Sequence, residues 1–250
     1  MHIFKVKKAT IFVMKSKWGL QVKNWEESLA YSDPENIELN TLLDNVNFKG
    51  KEVLDVGCGI GRLALPLSKY AKHVVAVDIR KEVINYCNNK KARRNIRYIL
   101  SDIRKLRSKQ FDIVVFAQPD YVNFKHNLRK IHSLLKADGQ LIIIRWIDRN
   151  NEYNTLLSPF WSKNKKLTKT VVDFSKQFMH SLRKEFKIKK QLLITTYESY
   201  PSPQKLFVNV MRDSPIEFSE KDKNKLRRLI TTYNYRRIKL AMKLYMCQKS

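Results

Sequence analysis

The stretch "LDVGCGIGR" occupies residues 54–62 and places three glycines within five positions, directly behind an apolar run. An apolar strand that breaks into such a turn and then enters a helix sets backbone N–H groups at the carboxyl end of a sheet, where open α/β folds bind ligands. Gly57, Gly59 and Gly61 are therefore expected to form a loop that a ligand approaches closely, because a Cβ there would clash or forbid a positive φ.

Working outward, short runs rich in Val and Ile alternate with helical segments between Glu52 and Trp146, the pattern of a parallel sheet covered on both faces. The candidate strands are "EVLDVG" (52–57), "HVVAVD" (73–78), "IRYILS" (96–101), "FDIVVFA" (111–117) and "QLIIIRW" (140–146). Between them "RLALPLSKYA", "RKEVINYCNNKKA" and "NLRKIHSLLKADG" read as crossover helices, with Pro66 near the start of the first and Gly139 as the stop of the last. A further helix is expected from Lys166 to Glu185, with Val171, Val172, Phe174, Phe178 and Leu182 as its apolar side. "IKKQLLITTYESY" (188–200) and "RIKLAMKLYMCQ" (237–248) suit two strands that pair antiparallel. The segment between them reads as two helices, the second opened by a capping box of Ser219 and Asp222.

The expected fold is thus α/β, a doubly wound, seven-stranded, mostly parallel sheet whose last strand is antiparallel, with helices on both faces and a helical insertion before the last strand. Residues 1–50 are expected to form an N-terminal segment and lid helix, residues 51–250 the ligand-binding domain, and residues 201–235 the insertion. A chain of 250 residues accommodates one such domain with its embellishments.

The class of ligand turns on two details. A dinucleotide fingerprint requires G-x-G-x-x-G, whereas here the spacing is G-x-G-x-G and Arg62 comes next. The second strand nevertheless ends in an acid, Asp78, 21 residues beyond Gly57 and placed to take the two hydroxyls of a ribose. An adenosine-bearing ligand without a pyrophosphate fits both observations. A nicotinamide-dependent oxidoreductase is the alternative from another class, with Arg62 against it.

At these residues the chain resembles the class I S-adenosylmethionine-dependent methyltransferases. "VLDVGCGIGR" is similar to their first motif, "VVAVDIR" to the second with its ribose-binding acid, and "ILSDIRKL" to the third. "FDIVVFA" with "LRKIHSLLKADGQLIII" resembles their fourth strand and the helix and strand after it. The resemblance implies methyl transfer with S-adenosylmethionine as cofactor and no metal. It further implies that Asp55 orders the loop, Gly57 and Gly59, with Cys58 between them, admit the methionine portion, Asp78 holds the ribose, and Asp102 with Ile103 frames the adenine. Gln118, at the end of the fourth strand, would face the sulfonium.

Other readings stay open at this level. Asp55 is equally placed to cap the turn, while Asp78 and Asp102 are each placed to cap the helical segment after them. Cys58 has no neighbouring base and reads as a small residue in a tight turn. "QPDY" (118–121) partly imitates the motif of family members that methylate planar amines, which makes Gln118 and Tyr121 candidates for the acceptor site. Gln is longer than the usual Asn, however, and Asp120 replaces a proline.

The acceptor is expected to be a small or medium-sized molecule under a partly helical lid. Trp18, Trp25, Tyr31, Tyr197, Tyr200, Phe207 and Met211 are candidates for its apolar walls. Nucleic acid is a second candidate partner, because 50 Lys and Arg against 23 Asp and Glu leave a formal charge of +27. The basic sets at 90–97, 104–109, 221–228 and 236–237 are where a phosphate backbone would run. The excess is spread along the chain, and no RNA-binding module is legible. Three widely separated cysteines without zinc spacing suit reduced thiols in a cytoplasmic protein. No stretch is apolar and long enough for a signal core or a membrane span, and Met14 is a second candidate start. Oligomeric state is left open.

Overall fold

The computed structural model describes residues 22–107, 110–119, 124–147, 151–161, 177–214, 216–232 and 236–250. Helices α1 (Val22–Tyr31) and α2 (Ile37–Asn45) precede β1 (Glu52–Val56), α3 (Ala64–Leu67), β2 (His73–Asp78), α4 (Lys81–Lys90) and β3 (Ile96–Leu100). A 3₁₀ turn (Ile103–Lys105) leads to β4 (Phe111–Ala117), α5 (Phe124–Leu134), β5 (Leu135–Trp146) and α6 (Glu152–Trp161). After a helix α7 over residues 177–185 come β6 (Phe186–Ser199), α8 (Pro203–Asp213), α9 (Glu220–Thr232) and β7 (Arg237–Lys249).

The seven strands form one sheet in the order β3-β2-β1-β4-β5-β7-β6. Strands β1 to β5 pair in parallel, and β7 runs antiparallel to β5 from Gln140↔Gln248 to Trp146↔Met242. The expected fold is therefore the observed one. The alternation of side chains along each strand explains why it holds. Val53, Val115, Ile142 and Leu244 enter one apolar cluster, while their neighbours Leu54, Val114, Leu141, Ile143 and Tyr245 enter a second. All five residues of β1 are buried, as a strand covered on both faces requires. Burial of each large apolar side chain contributes roughly 1.5–3 kcal/mol, so truncating Ile142, which is fully buried, to Ala costs about 2–5 kcal/mol.

Two expectations about helices need correction. The first crossover shrinks to a single α-helical turn, Ala64–Leu67, with Pro66 inside it; beyond Ser68 the bonds tighten to i→i−3, Lys69 N to Pro66 O and Tyr70 N to Leu67 O. Gly139 does not stop α5, which ends at Leu134. It lies inside β5, where pairing jumps from Phe111↔Leu135 to Ile113↔Gln140. A Cβ there would sit 2.9 Å from Leu135 Cδ2 and 3.0 Å from both Lys136 N and O, so the bulge can close only over a glycine. Of the helix expected at 166–185, Phe178 and Leu182 are described and fully buried, whereas Val171, Val172 and Phe174 lie outside the described residues.

The insertion holds the two expected helices. Ser219 Oγ accepts from Asp222 N at 3.2 Å while Asp222 Oδ2 accepts from Ser219 N at 3.2 Å, a reciprocal capping box. Ser202 caps α8 by accepting from Lys205 N, and Pro203 opens that helix where a missing N–H does no harm.

The chain divides into two compact units. One comprises Asn36–Ile147, Phe174–Ile194 and Met242–Ser250; the other comprises the described residues of Met1–Glu35, Asp148–Asp173 and Thr195–Ala241. Residues 36–50, just before β1, group with the first unit. We call the first the sheet unit and the second the cap unit. The cap unit has its own core, in which Leu156, Phe160, Leu206, Val210, Leu226 and Ile230 are buried together. No helix among the described residues is long and apolar enough to cross a membrane.

Candidate functional site

Gly57, Gly59 and Gly61 adopt φ of 71°, 52° and 80°, in the region that glycine enters without strain. The loop they form is held mainly by its own amides. Gly57 N and Cys58 N both donate to Val77 O (2.8 and 3.0 Å), and Gly61 N donates to Cys58 O (3.0 Å). Gly59 N donates to Asp78 Oδ2 at 3.1 Å. These four amides are taken up within the fold, so they offer no cradle for a phosphate. A Cβ on Gly57 would meet nothing within 4 Å, whereas one on Gly61 would lie 3.1 Å from the Tyr98 hydroxyl. Gly57 thus faces open space, and Gly61 packs against the fold.

Asp55 is buried beneath this loop. Its carboxyl takes the Ala64 backbone N–H, and burial pushes its pKa up to about 7 against the opposing pull of Arg62. Oδ2 of Asp55 has no hydrogen-bond partner among the described residues. Arg62, which stands where a dinucleotide site has its third glycine, forks onto buried Glu38, with Nη2 3.0 Å from Oε1 and Nη1 against Oε2. Cys58 and Cys87 are both buried and both point Sγ at Gly59 O. Burial drives the Cys58 thiol far up and the Cys87 thiol to about 12, so neither supplies a nucleophile at neutral pH.

Asp78 ends β2 with its side chain 3% exposed. Oδ1 accepts from Arg80 N (3.0 Å) and Arg80 Nε (2.9 Å), and Oδ2 accepts from Gly59 N and from Arg80 Nη2 (2.9 Å). Asp102 repeats the arrangement after β3. Its Oδ1 accepts from Arg104 N at 2.9 Å, capping the 3₁₀ turn, and the Arg104 guanidinium lies on both oxygens. The Arg104 bond is the main cause holding the Asp102 carboxyl below its usual range. Ile103 beside it is buried. The capping role left open for Asp102 is therefore realised, while α4 has no side-chain cap.

Gln118 comes directly after β4 in the left-handed region at φ 51°, a conformation that a non-glycine residue holds only where its surroundings require it. Its N–H donates to Ile144 O (2.7 Å), Oε1 accepts from Trp146 N (3.1 Å), and Nε2 lies 3.3 Å from Met242 Sδ. The side chain thus ties the end of β4 to β5 and β7. Asp120 and Tyr121 lie outside the described residues, as does Trp18.

Of the candidate wall residues, Tyr200 is buried in the cap unit's core, and Tyr31, Phe207 and Met211 pack against that core. Some of the basic residues already have partners. Arg227 sits over the Phe207 ring at 4.6 Å, and Arg237 sits over the Tyr197 ring at 3.8 Å and bonds Glu35. No cluster of three or more metal-ligating side chains occurs among the described residues.

Three residues of the site escaped the sequence reading: Glu38, Arg80 and Arg104. A signal for two of them was present. The tetrapeptide Asp-Ile-Arg-Lys occurs at 78–81 and again at 102–105, each time at or just after the carboxyl end of a strand.

Residues 53–139 match the family model described as "Methyltransferase domain". The chain is 24% identical over 147 residues to ribosomal RNA small subunit methyltransferase A of Mesomycoplasma hyopneumoniae (strain 232), covering 58% of this chain and 54% of that protein. It is 31% identical over 123 residues to the ubiquinone biosynthesis O-methyltransferase of Coxiella burnetii (strain Dugway 5J108-111), covering 46% and 51%. The crystal structure of a putative methyltransferase from Bacillus halodurans C-125 shares the fold with a TM-score of 0.59 at 17% identity, over 85% of this chain and 98% of that one. The chain spans about half the length of the curated relatives it matches. The domain match thus covers residues 53–139, and the likeness to the Bacillus halodurans structure shows that the fold as a whole is shared.

Proposed function

We propose that the chain is an S-adenosylmethionine-dependent methyltransferase acting on a small or medium-sized acceptor. The observation that carries this reading is the state of the glycine loop. Its amides are engaged with Val77, Cys58 and Asp78, yet Gly57 faces open space beside a strand-end carboxylate. Such a site suits a nucleoside with an amino-acid tail and does not suit a pyrophosphate, which needs free amides. The unpartnered Oδ2 of Asp55 is a second sign that the donor set fits such a ligand.

When bound, the cofactor supplies a methyl group already activated by its sulfonium. The chain's task is to hold and orient. Gly57, Cys58 and Gly59 would admit the methionine portion, Asp78 the ribose, and Asp102 with Ile103 the adenine. Gln118 stands at the strand end next to the expected transfer point, and Tyr121 is the weaker candidate for stacking on the acceptor. Alignment of the acceptor in a site that excludes water supplies most of the rate, and a hydroxyl or protonated amine acceptor additionally needs a base. The three buried, free cysteines suit a reducing cytoplasm.

The likeness to the ubiquinone biosynthesis O-methyltransferase supports a small acceptor, and the likeness to the ribosomal RNA methyltransferase, over a larger share of the chain, supports RNA. A charge of +27 favours an RNA acceptor as the second reading. Calorimetry tests the cofactor: S-adenosylmethionine should bind, NADH should not, and Asp78→Ala should weaken binding by roughly a hundredfold, the loss of two hydrogen bonds to a charged group. Indifference to S-adenosylmethionine at millimolar concentration would falsify the assignment. Incubating the protein with methyl-labelled cofactor and separated metabolite and RNA fractions identifies the acceptor class, and RNA affinity that falls steeply with salt marks the second reading.

A further inference from the structure

We propose that Arg80 is a built-in competitor for the ribose: its guanidinium occupies the Asp78 oxygens that the sugar hydroxyls require, so it must be displaced for the nucleoside to dock. This inference rests on the assignment of Asp78 to the ribose.

A carboxylate offers about four acceptor positions. At Asp78 all four meet N–H groups: Gly59 N, Arg80 N, Arg80 Nε and Arg80 Nη2, at 2.9–3.1 Å. A vicinal diol that grips both oxygens needs two of those positions. The two backbone donors are fixed by the glycine loop and by the turn into α4. The two guanidinium donors sit on a side chain with rotatable bonds, so they are the pair that yields. They are also the strongest of the four, since a bidentate cation on a carboxylate outranks neutral hydroxyl donors. Exchange of one for the other therefore opposes binding, and the measured affinity is lowered by the fraction of molecules in which the fork is closed.

The repeat at 102–105 provides an internal control. There the side chains of Arg104 and Asp102 are 44% and 23% exposed, against 17% and 3% for Arg80 and Asp78. Water screens the second pair and competes with it, so its hold on the site is weaker.

The test is calorimetry on the full chain with S-adenosylhomocysteine, adenosine and 2′,3′-dideoxyadenosine. Arg80→Ala should bind the first two roughly tenfold more tightly than the unaltered protein, because the competing state is removed, and should leave affinity for the dideoxy nucleoside unchanged. Arg80→Lys, which keeps the cation and loses the fork, should fall between, and Arg104→Ala, whose ion pair is the more exposed, should not reproduce the gain. A purely structural role for Arg80 predicts the opposite sign, weaker binding from a disordered Asp78. Binding of adenosine by Arg80→Ala that is unchanged or weaker overturns the proposal, and so does an equal gain for the dideoxy nucleoside. If thermal melting shows that Arg80→Ala is unfolded, Arg80→Lys decides by the same criterion. Failure of the unaltered protein to bind S-adenosylhomocysteine removes the cofactor assignment itself, whereas binding without a gain in the variant removes only the competitor.

Discussion

Buried carboxylates occur in both units, and the two units satisfy them by different chemistry. In the sheet unit, Asp78 is saturated by amides and a guanidinium, and Asp55 keeps one oxygen without a partner among the described residues. In the cap unit, Glu198 is reached by three neutral hydroxyls: Ser32 Oγ at 3.1 Å, Tyr153 at 2.7 Å and Tyr200. The two phenols also lie 2.6 Å apart, and Tyr31 packs on the Tyr200 ring at a centroid distance of 5.3 Å. Burial and the Glu198 charge hold both phenols far above their ordinary pKa, so they remain donors. The contrast separates a carboxylate that joins parts of a core by neutral donors from carboxylates that hold and underlie the glycine loop. Glu198 draws together the residue after α1, the first turn of α6 and the chain leaving β6, all by neutral donors. Asp78 is held by a side chain that can leave.

The largest expected effect breaks the cap unit. Glu198→Ala removes the charged acceptor of one buried and two half-buried hydroxyls, bonds worth about 1.5–3 kcal/mol each, of which the two phenols recover part through each other, so denaturant melting should show a loss of roughly 3–6 kcal/mol, while Glu198→Gln, which keeps an acceptor, loses much less. An alanine variant as stable as its parent would mean the hydroxyls find other partners and the contrast is unfounded.

Next in size is a pH effect in the sheet unit. The folded pKa of Asp55, about 7, lies above the roughly 3.9 of an unfolded Asp. The folded state therefore holds a proton that the unfolded state releases, and the associated stability is complete below pH ~4 and lost as pH rises to about 7. The upper bound is about 4 kcal/mol, at 1.36 kcal/mol per unit. Melting measured from pH 4 to 8 should show the decline, and Asp55→Asn should flatten it; an unchanged slope assigns the decline to another group.

The smallest effect divides the glycines. Gly61→Ala combines a positive φ with the Tyr98 contact and should lower stability by about 1–3 kcal/mol. Gly57→Ala carries the backbone strain alone, and its larger signature should be weakened cofactor binding. Equal binding losses for the two would show that the open space at Gly57 has no role in docking.

Much of this arrangement is legible in the residues themselves. The Val and Ile runs of β1, β2 and β4 mark their own strands, and the loop glycines declare their positive φ through spacing alone. Ser219 and Asp222 identify their cap by local chemistry. Gly139 is misread because its reason is remote: only the pairing of Phe111 with Leu135 shows that the chain must bulge there. The first crossover is misjudged because its second half closes in i→i−3 turns, which leave the apolar spacing of a helix in place. Arg80 and Arg104 are marked only by the repeated Asp-Ile-Arg-Lys, a weak signal in a chain with 50 basic side chains; Arg62 stands out only as the break in a dinucleotide fingerprint, and Glu38 acquires meaning only once α2 brings it to Arg62.

The pairing of Asp78 with an arginine two positions along has one more implication. A rival tethered so closely acts at a fixed, high effective concentration that no dilution of the sample lowers. Under the proposed docking of the ribose on Asp78, a nucleoside would compete against that tether on every encounter, and one bearing an ammonium group in place of a sugar hydroxyl would meet the carboxylate on equal terms.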